Sequence, residues 1–227
     1  MNKLQKWGGV AAIYEAVAYI TGMVVFLLAV DYASAVSSAQ KIALVVENQA
    51  VLAMTNVVIY VLFGVALVVL SLALHQRLKA ASPAMMQTAT AFGLIWAGVV
   101  IASGMVFNVG MGVVTDLYAA DPTQATAVWT AIDAVANGIG GGVELLGGLW
   151  TLLVSLAALR AGAFGKGLNY LGILVGIAGT MTIIPALGEI GGMIFGLTQI
   201  VWFAWLGIAM LRQPKITMQE VVTPAFE

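Results

Sequence analysis

Six apolar segments follow one another along the chain, at residues 8–30, 51–74, 90–113, 140–159, 168–187 and 192–211, with polar connections between them. Each is long enough to cross a hydrocarbon core of about 30 Å as a helix of about 20 residues. The pattern predicts an all-α, polytopic membrane protein. It is a bundle of six transmembrane helices within one domain, residues 1–212, with a short cytoplasmic tail at 213–227 after Pro214. Ala33-Ser34-Ala35 superficially resembles a signal-peptide cleavage site. The apolar stretch before it exceeds the roughly 7–15 residues of a signal core, so the first segment reads as a retained span.

The polar connections orient the bundle. Lys3 and Lys6 precede the first segment, Arg77 and Lys79 follow the second, Arg160 and Lys166 join the fourth and fifth, and Arg212 and Lys215 follow the sixth. Only Lys41 lies on the opposite side. The positive-inside rule puts the basic side, and with it both termini, in the cytoplasm. The outer connections at 31–50 and 114–139 are longer and rich in Ala, Ser and Thr, and are expected to hold short extra helices. Asp121-Pro122-Thr123 reads as a helix start, with proline just inside and an acid at the N-terminus. Helical pattern then runs from Ala125 to Leu159, about 50 Å at 1.5 Å per residue, with a bend expected in the glycine cluster at 138–142. Trp7, Tyr32, Tyr118, Trp129 and Tyr170 flank the segments, where interfacial aromatics belong.

Composition removes most other classes. Hydrophobic residues make up 62% of the chain and charged ones 8%, with a mean hydropathy of +1.03, against about 25% charged in a soluble domain. An ordinary globular protein, a disordered chain and a nucleic-acid binder are excluded. The net charge of −1 provides no basic field. The absence of cysteine removes disulfides, thiolate metal sites and cysteine nucleophiles. With His75 the one histidine, a haem held by two histidines of this chain and histidine-rich zinc motifs are also excluded. Every lysine is at or outside an interface, so a retinal Schiff base is excluded too.

Helices in lipid associate through small residues and shared hydrogen bonds, and the 26 glycines should mark packed faces. In the fourth segment, Thr130, Asp133, Asn137, Gly141, Glu144, Gly148, Thr151, Ser155, Ala158 and Gly162 alternate spacings of three and four and form one helical stripe. Leu145, Leu149, Trp150, Leu152, Leu153 and Leu156 form the opposite, bulky face. Glu189, Gly192, Gly196 and Gln199 repeat the small and polar pattern in segment six, Asn169 to Gly179 in segment five, and Ala11 to Gly22 in segment one. Segments one, four, five and six are therefore expected to surround an interior lined by small and polar groups. The plainer alternative is a set of tight helix crossings.

Two carboxylates fall inside the apolar stretches, Glu15 near the cytoplasmic side and Glu144 near the outer one, with depths that differ by about 12 Å or more. No basic residue lies deep in any segment to neutralise them. Such acids are expensive in a membrane and are functional by default, or else serve as protonated glue between helices. Glu15, Asn137, Glu144 and Gln199 form the candidate intramembrane polar site. Asp133 and Glu189, with Glu144, point to the outer end of segments four to six as a candidate acidic cluster. Converging carboxylates suit a hard cation, but no Asp-x-Asp loop accompanies them, and solvated loop acids are the plainer reading. No residue is assigned to catalysis, to a cofactor or to a metal.

The runs GGGVELLGGLWTLLVSLAALR at 140–160, LNYLGILVGIAG at 168–179, IPALGE at 184–189, IFGLTQIVWFAWLGIAMLR at 194–212 and, more weakly, GGVAAIYEAVAYITG at 8–22 resemble an uncharacterised family of bacterial six-helix membrane proteins known only as a domain of unknown function. The resemblance implies a bacterial inner (plasma) membrane location and supports six spans. It brings no substrate, cofactor or catalytic residue. A 3+3 inverted repeat would suit the topology, but the shared Gly-Gly-Val and Phe-Gly-Leu triplets are too short to establish one.

These readings favour a non-enzymatic accessory or scaffold protein that packs through its small-residue faces, with membrane lipids, another membrane protein or a second copy as partner. The alternative is a small carrier or channel for protons, cations or a lipophilic substrate, with Glu15 and Glu144 as its protonatable groups. An intramembrane enzyme comes third, because Thr151 and Ser155 have no base within a turn. A lipid or quinone site walled by Trp150, Trp202 and Trp205 also fits the pattern, though ordinary packing explains those rings as well.

Overall fold

A computed structural model describes residues 3–141 and 144–212; the expected tail at 213–227, with Pro214 and Lys215, and positions 142 and 143 of the glycine cluster lie outside the described residues. Every regular element among the described residues is helical. The chain runs through α1 (Lys3–Val24), α2 (Ser38–Glu47), α3 (Gln49–Asn56), α4 (Phe63–Leu78), α5 (Pro83–Tyr118), α6 (Pro122–Ala136), α7 (Leu145–Arg160), α8 (Lys166–Met181) and α9 (Gly188–Arg212). A widened π turn, Val25–Ala29, extends α1, and another, Val57–Leu62, joins α3 to α4 in one continuous run.

Among the described residues five runs are long and apolar enough to cross a membrane: Lys3–Ala29, Gln49–Leu78, Pro83–Tyr118, Pro122–Arg160 and Pro185–Arg212. The fifth segment expected from the sequence emerges as α8, whose 16 residues cover about 24 Å at the helical rise. At 36 residues, α5 is about 54 Å long and outreaches any bilayer core.

Local chemistry explains the connections. The expected outer helices are α2 and α6. Ser37 Oγ accepts the Gln40 N–H at 3.2 Å while Gln40 Oε1 accepts the Ser37 N–H at 3.1 Å, which is a capping box that starts α2. Asp121 Oδ1 accepts the Gln124 N–H at 2.9 Å ahead of Pro122, so α6 begins where the sequence predicts. The turn from α7 to α8 uses Gly162 and Gly165 at φ 61° and 85°, a region that favours residues without a Cβ.

The long helices close into a ring, each packed on the next in the order α1, α4, α5, α7, α8, α9 and back to α1. Several of these crossings are backbone-close, among them those of α7 with α8 and of α9 with α1. A Cβ on Gly148 would lie 2.6–2.9 Å from backbone atoms of Gly176, Gly179 and Thr180, and one on Gly207 would lie 2.8 Å from the Gly9 carbonyl oxygen. Small residues thus serve pairwise crossings, and the interior holds large aromatic rings beside the buried polar groups Glu15, Thr151, Ser155 and Gln199 of the expected faces. Trp96, Trp150, Phe63, Phe195, Trp202 and Phe203 fill it, with neighbouring ring centroids 5.4–6.5 Å apart. Trp150, on the bulky face of its helix, is 0% exposed and packs among these rings. Phe63 and Trp96 bring the second and third segments into an interior assigned to the other four. Glycine contacts let the helices approach at their edges, and the wider space inside the ring takes large rings.

A second core lies at the end of the bundle away from Lys3 and Arg212, here the loop end. Val30, Ile42, Val45, Leu52, Phe107, Met111, Val114, Trp129 and Ala136 join α2, α3, α5 and α6 there. Trp129 is therefore a core residue, whereas Trp7 and Tyr170 are well exposed.

Candidate functional site

Between the two cores the helices are irregular, and the irregularities meet. The π turns at Val25–Ala29 and Val57–Leu62 and a break at Gly140 (φ 176°, ψ 4°) all line the same pair of cavities. Widened turns displace carbonyl groups from the regular ladder and recur at functional positions. Here side chains of neighbouring helices donate to carbonyl groups in and beside these irregular stretches. Tyr14 Oη donates to the Val58 carbonyl oxygen at 2.8 Å, Asn108 Nδ2 to that of Ala53 at 3.1 Å, and Ser103 Oγ to that of Ala136 at 2.9 Å. Asn56 Nδ2 donates to Asn108 Oδ1 at 3.0 Å, which fixes both amides.

The cavity nearer the loop end has a volume of about 350 Å³. Its polar wall comprises Tyr32, Lys41, Asn56, Asp133 and Asn137, and its apolar wall includes Phe26, Leu52, Phe107, Met111 and Trp129. Lys41 and Asp133 interact electrostatically across it. Burial pushes the Tyr32 phenol above its ordinary range. The deeper cavity holds about 240 Å³ and is bounded by Ala18, Tyr19, Gly22, Met23, Phe26, Ile59, Tyr60, Phe63, Trp96, Val100, Gly140 and Glu144. Phe26 and Tyr60 belong to both linings, so the cavities adjoin. The Glu144 backbone N–H is held by Thr182 Oγ1 at 3.1 Å, and among the described residues Glu144 is the one formally charged member of the deeper lining.

The four residues of the candidate polar site divide into two pairs. Asn137 and Glu144 line the cavities. Glu15 and Gln199 are each 0% exposed in the aromatic core and line neither. Gln199 faces Thr151 at 3.4 Å, while both carboxyl oxygens of Glu15 have no hydrogen-bond partner among the described residues. Tyr19 lies within electrostatic reach of both Glu15 and Glu144. Of the acidic cluster, Asp133 faces Lys41 in the outer cavity, and Glu189 is exposed on the first turn of α9 and lines neither cavity. Among the described residues no three Asp, Glu, His or Cys side chains gather as a metal site would require. The stripe from Thr130 to Gly162 is interrupted at Gly140, so Asp133 and Asn137 serve a cavity while Gly148, Thr151 and Ser155 serve packing.

Sequence reasoning missed Tyr14, Tyr19, Lys41, Asn56, Tyr60 and Asn108. The two asparagines did carry a signal, as amides inside otherwise apolar runs. The tyrosines resembled ordinary packing residues, and nothing in the order of residues brings Lys41 to Asp133. At the other end of the bundle, His75 Nδ1 lies 2.9 Å from Thr90 Oγ1 and 3.2 Å from the Met86 carbonyl oxygen, a local tie between α4 and α5.

The profile of a protein family described as a domain of unknown function (DUF4386) matches residues 15–212. Comparison with curated proteins and with solved structures returns no match.

Proposed function

The chain belongs to that family of unknown function, and we propose from its site that it binds a small amphipathic molecule in the paired cavities, as a carrier or a binding protein of the plasma membrane. In this reading all six segments span, with α8 as the short fifth span between α7 and α9. Both termini face the cytoplasm and the cavities open outward. Clustering of the basic residues at the connections on the terminal side supports that orientation. The resemblance seen in the sequence supports a bacterial inner membrane.

One observation carries the proposal: two adjoining cavities, one polar-walled and one aromatic, meet where three helical runs lose regularity. Ligand sites in membrane bundles favour interrupted helices, because irregular backbone is tolerated where it lines a cavity.

The accessory or scaffold reading keeps one observation of its own. A Cβ at Gly192 or Gly196 of α9 would meet nothing within 4 Å, which leaves room for a second helix. The glycines of α7, α8 and the start of α1 are already used within the bundle.

Native mass spectrometry of protein extracted gently from its own membrane separates the two. A stoichiometric small molecule on the wild type, lost in Gly22→Leu, is the expected result. Gly22 lines the deeper cavity, and a Cβ there meets only Ile59 methyl groups at 3.6–3.7 Å, so leucine should fill the space without a backbone clash. An empty monomer, or a partner protein bound equally by both forms, would overturn the binding proposal.

A further inference from the structure

The deeper cavity has a composition that selects among ligands. Five aromatic residues, Tyr19, Phe26, Tyr60, Phe63 and Trp96, share its wall with the single carboxyl group of Glu144. Among the described residues no Lys, Arg or His lines it. The Lys41 ammonium belongs to the outer cavity, where Asp133 opposes it.

We propose that the deeper cavity is a site for a lipophilic organic cation, an alkylated or aryl ammonium group whose charge faces Glu144 and whose apolar substituents lie among the aromatic rings. The inference rests on the binding function proposed above and adds the ligand's charge and class to it.

The alternatives fit less well. A hard metal cation takes about six oxygen ligands, and this wall offers one carboxylate and two phenols. An anion would meet a carboxylate with no basic side chain beside it. A neutral hydrocarbon would leave Glu144 with no reward for its place in the lining. A large, weakly hydrated cation gains both from the carboxylate and from the negative faces of aromatic rings, an attraction that strengthens when water is excluded. The adjoining outer cavity gives such a ligand an approach with Asn56, Asp133 and Asn137 for its polar end.

The test compares benzyltrimethylammonium with its uncharged carbon isostere, neopentylbenzene, by calorimetric titration of the full chain in nanodiscs, with empty nanodiscs subtracted. The cation should bind at least about tenfold more tightly than the isostere. Glu144→Gln should remove about that factor for the cation and leave the isostere within about twofold, which also reports that the cavity is intact. Gly22→Leu should abolish binding of both. Equal affinity of the two probes for the wild type would overturn the cation assignment and leave the binding function standing. A cation affinity unchanged in Glu144→Gln would overturn it as well. Binding of neither probe would also overturn it, and the mass spectrum of the natively extracted protein then judges the binding function independently. The wild-type comparison needs no variant to fold.

Discussion

Tyr14 in α1 donates its phenolic hydroxyl to the Val58 carbonyl oxygen at 2.8 Å, and Val58 lies in the widened turn between α3 and α4. A side chain of one helix thereby satisfies a backbone group in another at the point where that helix is irregular. Tyr14→Phe keeps the ring and deletes the bond. The expected loss is about 1 kcal/mol or less, as for polar contacts between membrane helices. It should appear as a lower unfolding midpoint, with faster amide exchange confined to residues 57–62. A midpoint equal to wild type with unchanged exchange would show that the turn needs no outside donor.

The crossing of α7 and α8 should tolerate nothing larger than glycine at 148. An added Cβ there meets backbone atoms at 2.6–2.9 Å, and backbone cannot rotate aside. Gly148→Ala is expected to cost about 1–3 kcal/mol through overpacking. Gly196→Ala, whose Cβ meets nothing within 4 Å, should instead gain about 0.5–1 kcal/mol from helix propensity. Unfolding curves of the two variants should move in opposite directions, and a shift in the same direction would contradict the packing described.

Glu15 is wholly buried, with both carboxyl oxygens unpartnered. Burying a polar group without a partner costs about 1–3 kcal/mol, so Glu15→Leu, close in volume, should be at least as stable as wild type. Glu15→Arg should not assemble, because a guanidinium that cannot shed its proton would then sit in the aromatic core. If Glu15→Leu loses stability as Glu15→Ala does, the acid is engaged in contacts that hold the bundle together.

The chain has no cysteine, so single cysteines can be introduced without background. Val36, 90% exposed in the connection before α2, and Ala80, exposed in the turn after α4, lie at opposite ends of the bundle. In intact cells an impermeant maleimide should label Val36→Cys and spare Ala80→Cys until the membrane is opened. The reverse pattern would invert the proposed orientation, and with it the side on which the cavities open.

Much of the fold was legible because long apolar runs can satisfy their backbone in lipid only as helices. The helix start at Asp121, the outer helices α2 and α6 and the bend in the glycine cluster followed from rules a few residues long. The site was less legible. Asn137 and Glu144 were recognisable as polar groups in an apolar setting, yet the same signal selected Gln199 and Glu15, which the fold seals into its core. Ring closure between α1 and α9, nearly 200 residues apart, decides which polar groups face a cavity, and periodicity within one helix does not report it.

The order of residues by itself determined that this is a helical membrane chain, where its apolar runs lie, and that neither cysteine chemistry nor a site built on two of its own histidines is open to it. Those properties depend on composition and on spacing within one helix. The tertiary structure decided that glycines meet at crossings while large rings fill the centre, and that tyrosines from α1 and the α3–α4 run gather around Glu144. These depend on which helix faces which, and in lipid that is set by close packing and a few interhelical hydrogen bonds, because apolar surface gains little by leaving one apolar neighbour for another.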